Sequence, residues 1–198
     1  MANPCTEPVS HRFPSQVSGP RISFSSKQAE VFRRIAGETR QVVRSGGTKK
    51  LAPASPFGIV AWFAGSSGTG KTMAAEVIAR ELRTPLYRVN LNQVVSKYIG
   101  ETEKNLARVF ETAQKKGAVL LFDEADAVFG KRSEVKESHD RYANMEVSYL
   151  LSKLEAYRGL VILSSNHNVD IDPAIMCRVK YLLEFSPPLP SPRQHLRP

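Results

Sequence analysis

Gly65-Ser66-Ser67-Gly68-Thr69-Gly70-Lys71-Thr72 stands between the apolar run FGIVAWFA and the helix-like run MAAEVIARELR. Strand, glycine loop and helix in that order leave a chain few folds, because the strand has to be buried and the loop has to turn at its carboxyl end. The glycines let consecutive backbone N–H groups face inward around a polyphosphate. Lys71 adds a positive charge at the β/γ end, and the Thr72 hydroxyl is a ligand type for Mg²⁺. Gly65, Ser66, Ser67, Gly68, Thr69, Gly70, Lys71 and Thr72 are therefore the expected nucleotide loop, with ATP or GTP as ligand.

The rest of the chain repeats the strand and helix alternation. Five apolar segments, FGIVAWFA, PLYRVNL, GAVLLFDE, GLVILSSN and KYLLEF, predict strands. Between them TEKNLARVFETAQKK carries Leu106, Val109, Phe110 and Ala113 on one helical face, and ANMEVSYLLSKLEAY carries Val147, Leu150, Leu151 and Leu154. Short buried strands separated by helices predict an α/β fold with a parallel sheet covered on both faces, whose ligands lie beyond the carboxyl ends of the strands. Ahead of this core, SSKQAEVFRRIAGETRQVV places Val31, Ile35 and Val42 at roughly helical spacing, and SGGTKKLAPASP reads as a linker.

The expected organisation is a disordered, proline-bearing arm over 1–20, a helix and linker over 21–56, a nucleotide-binding α/β unit over 57–185, and a disordered proline-rich tail over 186–198. At 198 residues one α/β core is the default. The 28 Lys and Arg against 19 Asp and Glu make the surface attractive to polyanions. They are scattered, without a basic stripe or an aromatic platform, so nucleic acid is not the expected partner. Cys5 and Cys177 have neither metal-ligand nor disulfide-framework spacing, which suits a reducing compartment. No secretion signal or membrane-length apolar run is present in the sequence, and a cytoplasmic location is expected.

The third strand delivers Asp123 and Glu124 at its tip in VLLFDEAD. One carboxylate there suits Mg²⁺, and the next suits a water that attacks the γ-phosphate. Asp126 is read first as a helix N-cap. Ser164-Ser165-Asn166 ends the fourth strand, where the Asn166 amide suits either a hydrogen bond to the γ-phosphate or attacking water, or a turn. Lys97-Tyr98-Ile99-Gly100 presents an aromatic beside a glycine, a combination that suits either a loop gripping an extended polypeptide or a core tyrosine.

Taken together, GSSGTGKT, SKYIGETEKNLARVF, VLLFDEADAVFGKRSEVKESHDRYANMEVSYLLSKLEAYRG and LVILSSN resemble the AAA+ ATPases, and look close to a bacterial AAA family found with phage-tail-like contractile systems. The resemblance runs from about Phe57 to Phe185 and implies the P-loop NTPase three-layer sandwich with a five-stranded parallel sheet. It implies ATP and Mg²⁺ as cofactors, Lys71 and Thr72 in the phosphate loop, and Asp123 and Glu124 as Mg²⁺ carboxylate and catalytic base. It further implies Asn166 as the first sensor, and Tyr98, Ile99 and Gly100 as a central-pore loop. The implied activity is ATP hydrolysis by a ring subunit, homo-oligomeric or mixed with intact family members, that remodels a protein substrate.

Two departures shape that expectation. In DPAIMCRVKY the positions of the family's trans-acting arginines hold Cys177 and Lys180, with Arg178 between them; cysteine brings no charge and lysine no planar fork. Past the fifth strand the family continues into a helical lid, where this chain has its proline-rich tail. A truncated or frame-shifted form with low activity is expected, and its alternative function is a poorly hydrolysing, nucleotide-binding ring partner or assembly module.

Overall fold

The computed structural model describes residues 11–12, 24–45, 58–91, 101–129, 139–166 and 172–186. In chain order these form β1 (His11–Arg12), α1 (Ser26–Ser45), β2 (Ile59–Ala64), α2 (Lys71–Leu82), β3 (Leu86–Asn90) and α3 (Glu101–Lys116). There follow β4 (Val119–Asp123), α4 (Asp126–Phe129), α5 (His139–Ala156), β5 (Leu160–Ser165), α6 (Pro173–Met176) and β6 (Tyr181–Glu184).

The strands make one sheet in the order β1-β3-β4-β5-β2-β6. β3, β4, β5, β2 and β6 are all parallel, which is the predicted five-stranded core. The two-residue β1 lies antiparallel on the outer edge of β3, with His11 opposite Arg88 and Arg12 opposite Tyr87. That pairing is not visible in the composition of the N-terminal arm.

Alternation along the strands sorts side chains to two faces, and each face has its own helices. Val60 and Trp62 of β2, Leu120 and Phe122 of β4 and Val161 and Leu163 of β5 join Leu106, Phe110 and Ala113 of α3 and Leu150, Leu151 and Leu154 of α5. On the other face Ile59, Ala61 and Phe63, Val119 and Leu121, and Leu160 and Ile162 meet Phe32 and Ile35 of α1 and Ala74, Ala75 and Ile78 of α2. β2, β4 and β5 show almost no exposed position because both faces are covered, as the near-continuous apolar runs require. Phe32 and Ile35 are buried, and at roughly 2 kcal/mol for each large apolar side chain they are enough to dock α1 on the sheet.

Two short helices were below the reach of periodicity. α6 is four residues long and is held by Asp172, whose Oδ1 accepts from the Ala174 N–H at 2.8 Å, with Pro173 as its first residue. α4 begins at Asp126 itself, and the Asp126 Oδ1 is buried with no hydrogen-bond partner among the described residues. That oxygen therefore makes no capping bond, contrary to the N-cap reading.

Candidate active site

The carboxyl ends of β2, β4 and β5 lie side by side, because β5 pairs with β2 on one edge and with β4 on the other. Three sequence-distant segments meet there: the glycine loop after β2, Asp123 and Glu124 after β4, and Ser164 to Asn166 after β5.

Gly65 opens the loop at φ 148°, and a side chain on it would overlap the Phe185 carbonyl oxygen just past β6. Only glycine meets both demands. Thr69 closes the turn by donating its hydroxyl to the Ser66 carbonyl at 2.8 Å. Gly70, at φ 98°, caps α2 with no side-chain bond, so the first N–H groups of the helix face the loop without an internal acceptor. Ser66, Ser67 and Gly68 are exposed, whereas Thr69 and Lys71 are buried and Thr72 is half-buried.

Lys71 is only 6% exposed. Its Nζ donates to the Gly65 carbonyl at 2.6 Å, to the Ser66 carbonyl at 2.9 Å and to Asn166 Oδ1 at 3.1 Å. All three acceptors are neutral, and among the described residues no carboxylate comes within ion-pair distance of Nζ. Burial holds the Lys71 amine below its ordinary pKa, and the more distant charges of Asp123 and Asp126 only partly oppose that. A buried ammonium with neutral partners is a site that an anionic ligand completes.

Asp123 has every lone pair engaged. Oδ1 accepts from the Ser164 hydroxyl at 2.9 Å and from the Glu124 N–H at 3.2 Å. Oδ2 accepts from Arg88 Nε at 3.0 Å and from Arg88 Nη2. Glu124 follows in the left-handed region at φ 58°, a backbone state that costs a non-glycine residue about 1 kcal/mol or more. The turn is held from behind by the Ala125 N–H, which donates to the Ser164 carbonyl at 2.8 Å. Held this way, Glu124 turns out of the strand direction at the sheet's rim.

Thr72, Asp123 and the orphaned Asp126 Oδ1 are oxygen donors of the hard type that Mg²⁺ takes, and they fit that ion. Among the described residues no group of three or more His, Cys, Asp or Glu side chains could hold a metal by itself. A cation held by these residues would need further ligands from phosphate and water, as Mg²⁺ usually does.

The structure thus brings Lys71 to Asn166, and Asp123 to Ser164, its hydroxyl partner. Arg88 had been passed over. Its signal was a charged residue inside PLYRVNL, on the same strand face as Asn90. Tyr98, Ile99 and Gly100 lie outside the described residues. Cys177 is exposed; Arg178 is bound by Glu155, with Nε to Oε1 at 2.6 Å, and by the Ala174 carbonyl. Lys180 pairs with Glu38 of α1. No helix among the described residues is long and apolar enough to cross a membrane.

Residues 61–187 match the family model for ATPases associated with various cellular activities (AAA). An uncharacterized AAA family ATPase, y4kL, of Sinorhizobium fredii is 36% identical over 64% of this chain and 38% of its own length. A proteasome-activating nucleotidase of Aeropyrum pernix is 34% identical over 67% of this chain and 34% of its own. A cell division cycle protein 48 homolog of Archaeoglobus fulgidus is 31% identical over 78% of this chain and 19% of its own. The chain matches less than two fifths of the length of each of these relatives. A glycine loop, strand-tip carboxylates and polar Asn166 on a five-stranded parallel sheet, matched by the family model over well over half the sequence, place the chain in the AAA family of ATPases.

Proposed function

We propose that this chain binds ATP with Mg²⁺ through residues 65–72 and hydrolyses it as a subunit of a ring that acts on a protein substrate. The observation that carries the reading is Lys71, a buried cation whose three contacts are all neutral oxygens. A triphosphate entering the loop replaces the Gly65 and Ser66 carbonyls as the acceptor of Nζ, and the N–H groups at the start of α2 face its negative charge. When bound, Mg²⁺ neutralises the β- and γ-phosphate oxygens, and Thr72 and Asp123 are the residues to hold it.

In the proposed hydrolysis a water attacks the γ-phosphorus while the Glu124 carboxylate takes its proton, and ADP leaves. The Asn166 amide, now bonded to Lys71, is free to turn to the γ-phosphate once Nζ engages phosphate. The domain division 1–20, 21–56, 57–185 and 186–198 belongs to the same reading, and the family match over 61–187 supports its 57–185 unit. The names of the proteasome-activating relatives support a polypeptide as the substrate, with Tyr98, Ile99 and Gly100 as its contact.

A second reading has its own observation. Arg178 and Lys180 are each tied to a carboxylate within the chain, and Cys177 carries no charge. The chain alone is then a slow hydrolase that binds nucleotide within a mixed ring, since a trans arginine is worth on the order of 10³–10⁵ in rate. Steady-state ATPase against protein concentration tests both: a more than linear rise, abolished by Glu124→Gln with labelled ATP still bound, is expected of the ring motor. Nucleotide binding with a flat, near-zero rate supports the second reading, and no nucleotide binding at all sinks both.

A further inference from the structure

Arg88 pairs across the sheet with Leu121, and Asn90 with Asp123, so Arg88 reaches diagonally up the strand to the carboxylate. The two are also unequal in freedom: the Arg88 side chain is 40% exposed, the Asp123 side chain 13%. Ser164 and the Glu124 N–H, which hold Oδ1, are fixed by a buried strand end and by the backbone. A carboxylate has about four lone-pair sites, and here all four are taken. A metal-bound water that bonds Asp123 must displace one donor, and only the Arg88 arm is free to move aside.

We infer that Arg88 is a built-in counter-cation of Asp123, which fills the metal's electrostatic place while Mg²⁺ is absent and competes with it when it arrives. This rests on the nucleotide-site reading above. Arg88 touches neither phosphate nor attacking water in this scheme; it is a positioning residue that acts through Asp123. Two effects of opposite sign follow. Without metal, neutralising Asp123 lowers its repulsion of the triphosphate, so Arg88 favours metal-free nucleotide. With metal, the same positive charge opposes Mg²⁺.

The test is binding of fluorescently labelled ATP to the full chain, in EDTA and across a Mg²⁺ titration, for the wild type, Arg88→Gln and Arg88→Lys. Arg88→Gln should bind labelled ATP several-fold more weakly in EDTA. It should also reach half of its Mg²⁺-dependent gain at roughly tenfold lower Mg²⁺, the effect expected of removing an opposite charge next to a carboxylate. Arg88→Lys keeps the charge and should stay within about threefold of the wild type in both readouts. General damage to the site would weaken binding in both conditions and leave the Mg²⁺ midpoint unmoved or raised, and that result in a variant with a normal melting curve overturns the inference. So does an Arg88→Lys variant that behaves as Arg88→Gln, because the fork geometry and not the charge would then be responsible. Failure of the wild type to bind labelled ATP, with and without Mg²⁺, removes the nucleotide-site reading itself, and the inference with it.

Discussion

The two ends of the parallel sheet are built from the same strands and solve opposite problems. At the amino end polar groups find close partners: the Ile59 N–H donates to the Gly159 carbonyl at 2.9 Å, and the Val119 N–H to that of Pro85 at 2.8 Å. The buried Tyr157 hydroxyl donates to the Ala118 carbonyl, and the Arg158 N–H to Gln114 Oε1 at 3.2 Å. At the carboxyl end a buried lysine has only neutral partners, a buried carboxylate oxygen has none among the described residues, and Glu124 sits at a strained φ. Pairing at the amino end is not complete, since the buried Thr84 hydroxyl has no hydrogen-bond partner among the described residues, but its backbone ties supply stability and hold the carboxyl end in shape for a ligand.

The largest effect that tests this contrast is at Lys71. Lys71→Ala should cost at least about a hundredfold in ATP affinity, since a charged donor to phosphate contributes roughly 1.5–3 kcal/mol per hydrogen bond. Its melting temperature should hold or rise, because the substitution removes a desolvated charge. Isothermal titration beside a thermal melt checks both. A large loss of stability would mean that Lys71 serves the fold, and the two ends would not differ as described.

Gly58 probes the other end. A side chain there would meet the Tyr157 and Gly159 carbonyl oxygens, the second at 2.7 Å, and both are backbone. Gly58→Ala should destabilise by about 2 kcal/mol through forced displacement, while folded protein keeps wild-type ATP affinity within about twofold. Urea unfolding measures the first and labelled-ATP titration the second. Lost affinity at undiminished stability would break the comparison.

The smallest effect sharpens it from a third place, the joint between α1 and β6. Burial first, and then the Glu38 carboxylate, push Tyr181 up to about 12 from the ordinary 10. Glu38 itself stays below its usual range: burial opposes its charge, but Lys180, Tyr181 and Arg34 outweigh that opposition. The folded chain therefore keeps the Tyr181 proton after the unfolded chain has released it, so this contribution is whole below about pH 10 and is lost between about 10 and 12. Tyr181→Phe should flatten that decline by about 1 kcal/mol at most, after solvent screening. Denaturant midpoints at pH 9 and 11.5 report it. An identical alkaline decline in both proteins would place the titrating group elsewhere.

Much of this was legible in the sequence because the signals are local. Val31, Ile35 and Val42 mark the face of α1 that packs on the sheet, with Ile35 buried and the two valines half-buried, and VLLFD announces a doubly buried strand that ends in a carboxylate. The glycine loop brings its own chemistry. Arg88 was not legible as part of the site, since its role depends on the register of β3 against β4, which sets Arg88 opposite Leu121 and within diagonal reach of Asp123, and no local pattern in the chain gives that register. The Glu124 backbone state was hidden for a related reason: the Ala125 N–H is drawn to Ser164, a residue of the next strand. α6 had a readable sign in Asp172-Pro173, but four residues contain too little periodicity to set it apart. The His11–Arg12 pairing draws on an open edge that no composition reveals.

One contact has a mechanical side. The Phe185 N–H donates to the Ala64 carbonyl at 2.7 Å, and the Phe185 carbonyl oxygen occupies the space a side chain on Gly65 would need, so the last strand is fastened at the first joint of the phosphate loop. A pull on the chain as it leaves Phe185 is delivered to Ala64 and Gly65 along a covalent and hydrogen-bonded path a few atoms long. The root of the loop is thus tied to β6, while Ser66, Ser67 and Gly68 beyond it are exposed. The Gly65 carbonyl that accepts from the Lys71 ammonium thus stands one residue from the point where β6 is fastened.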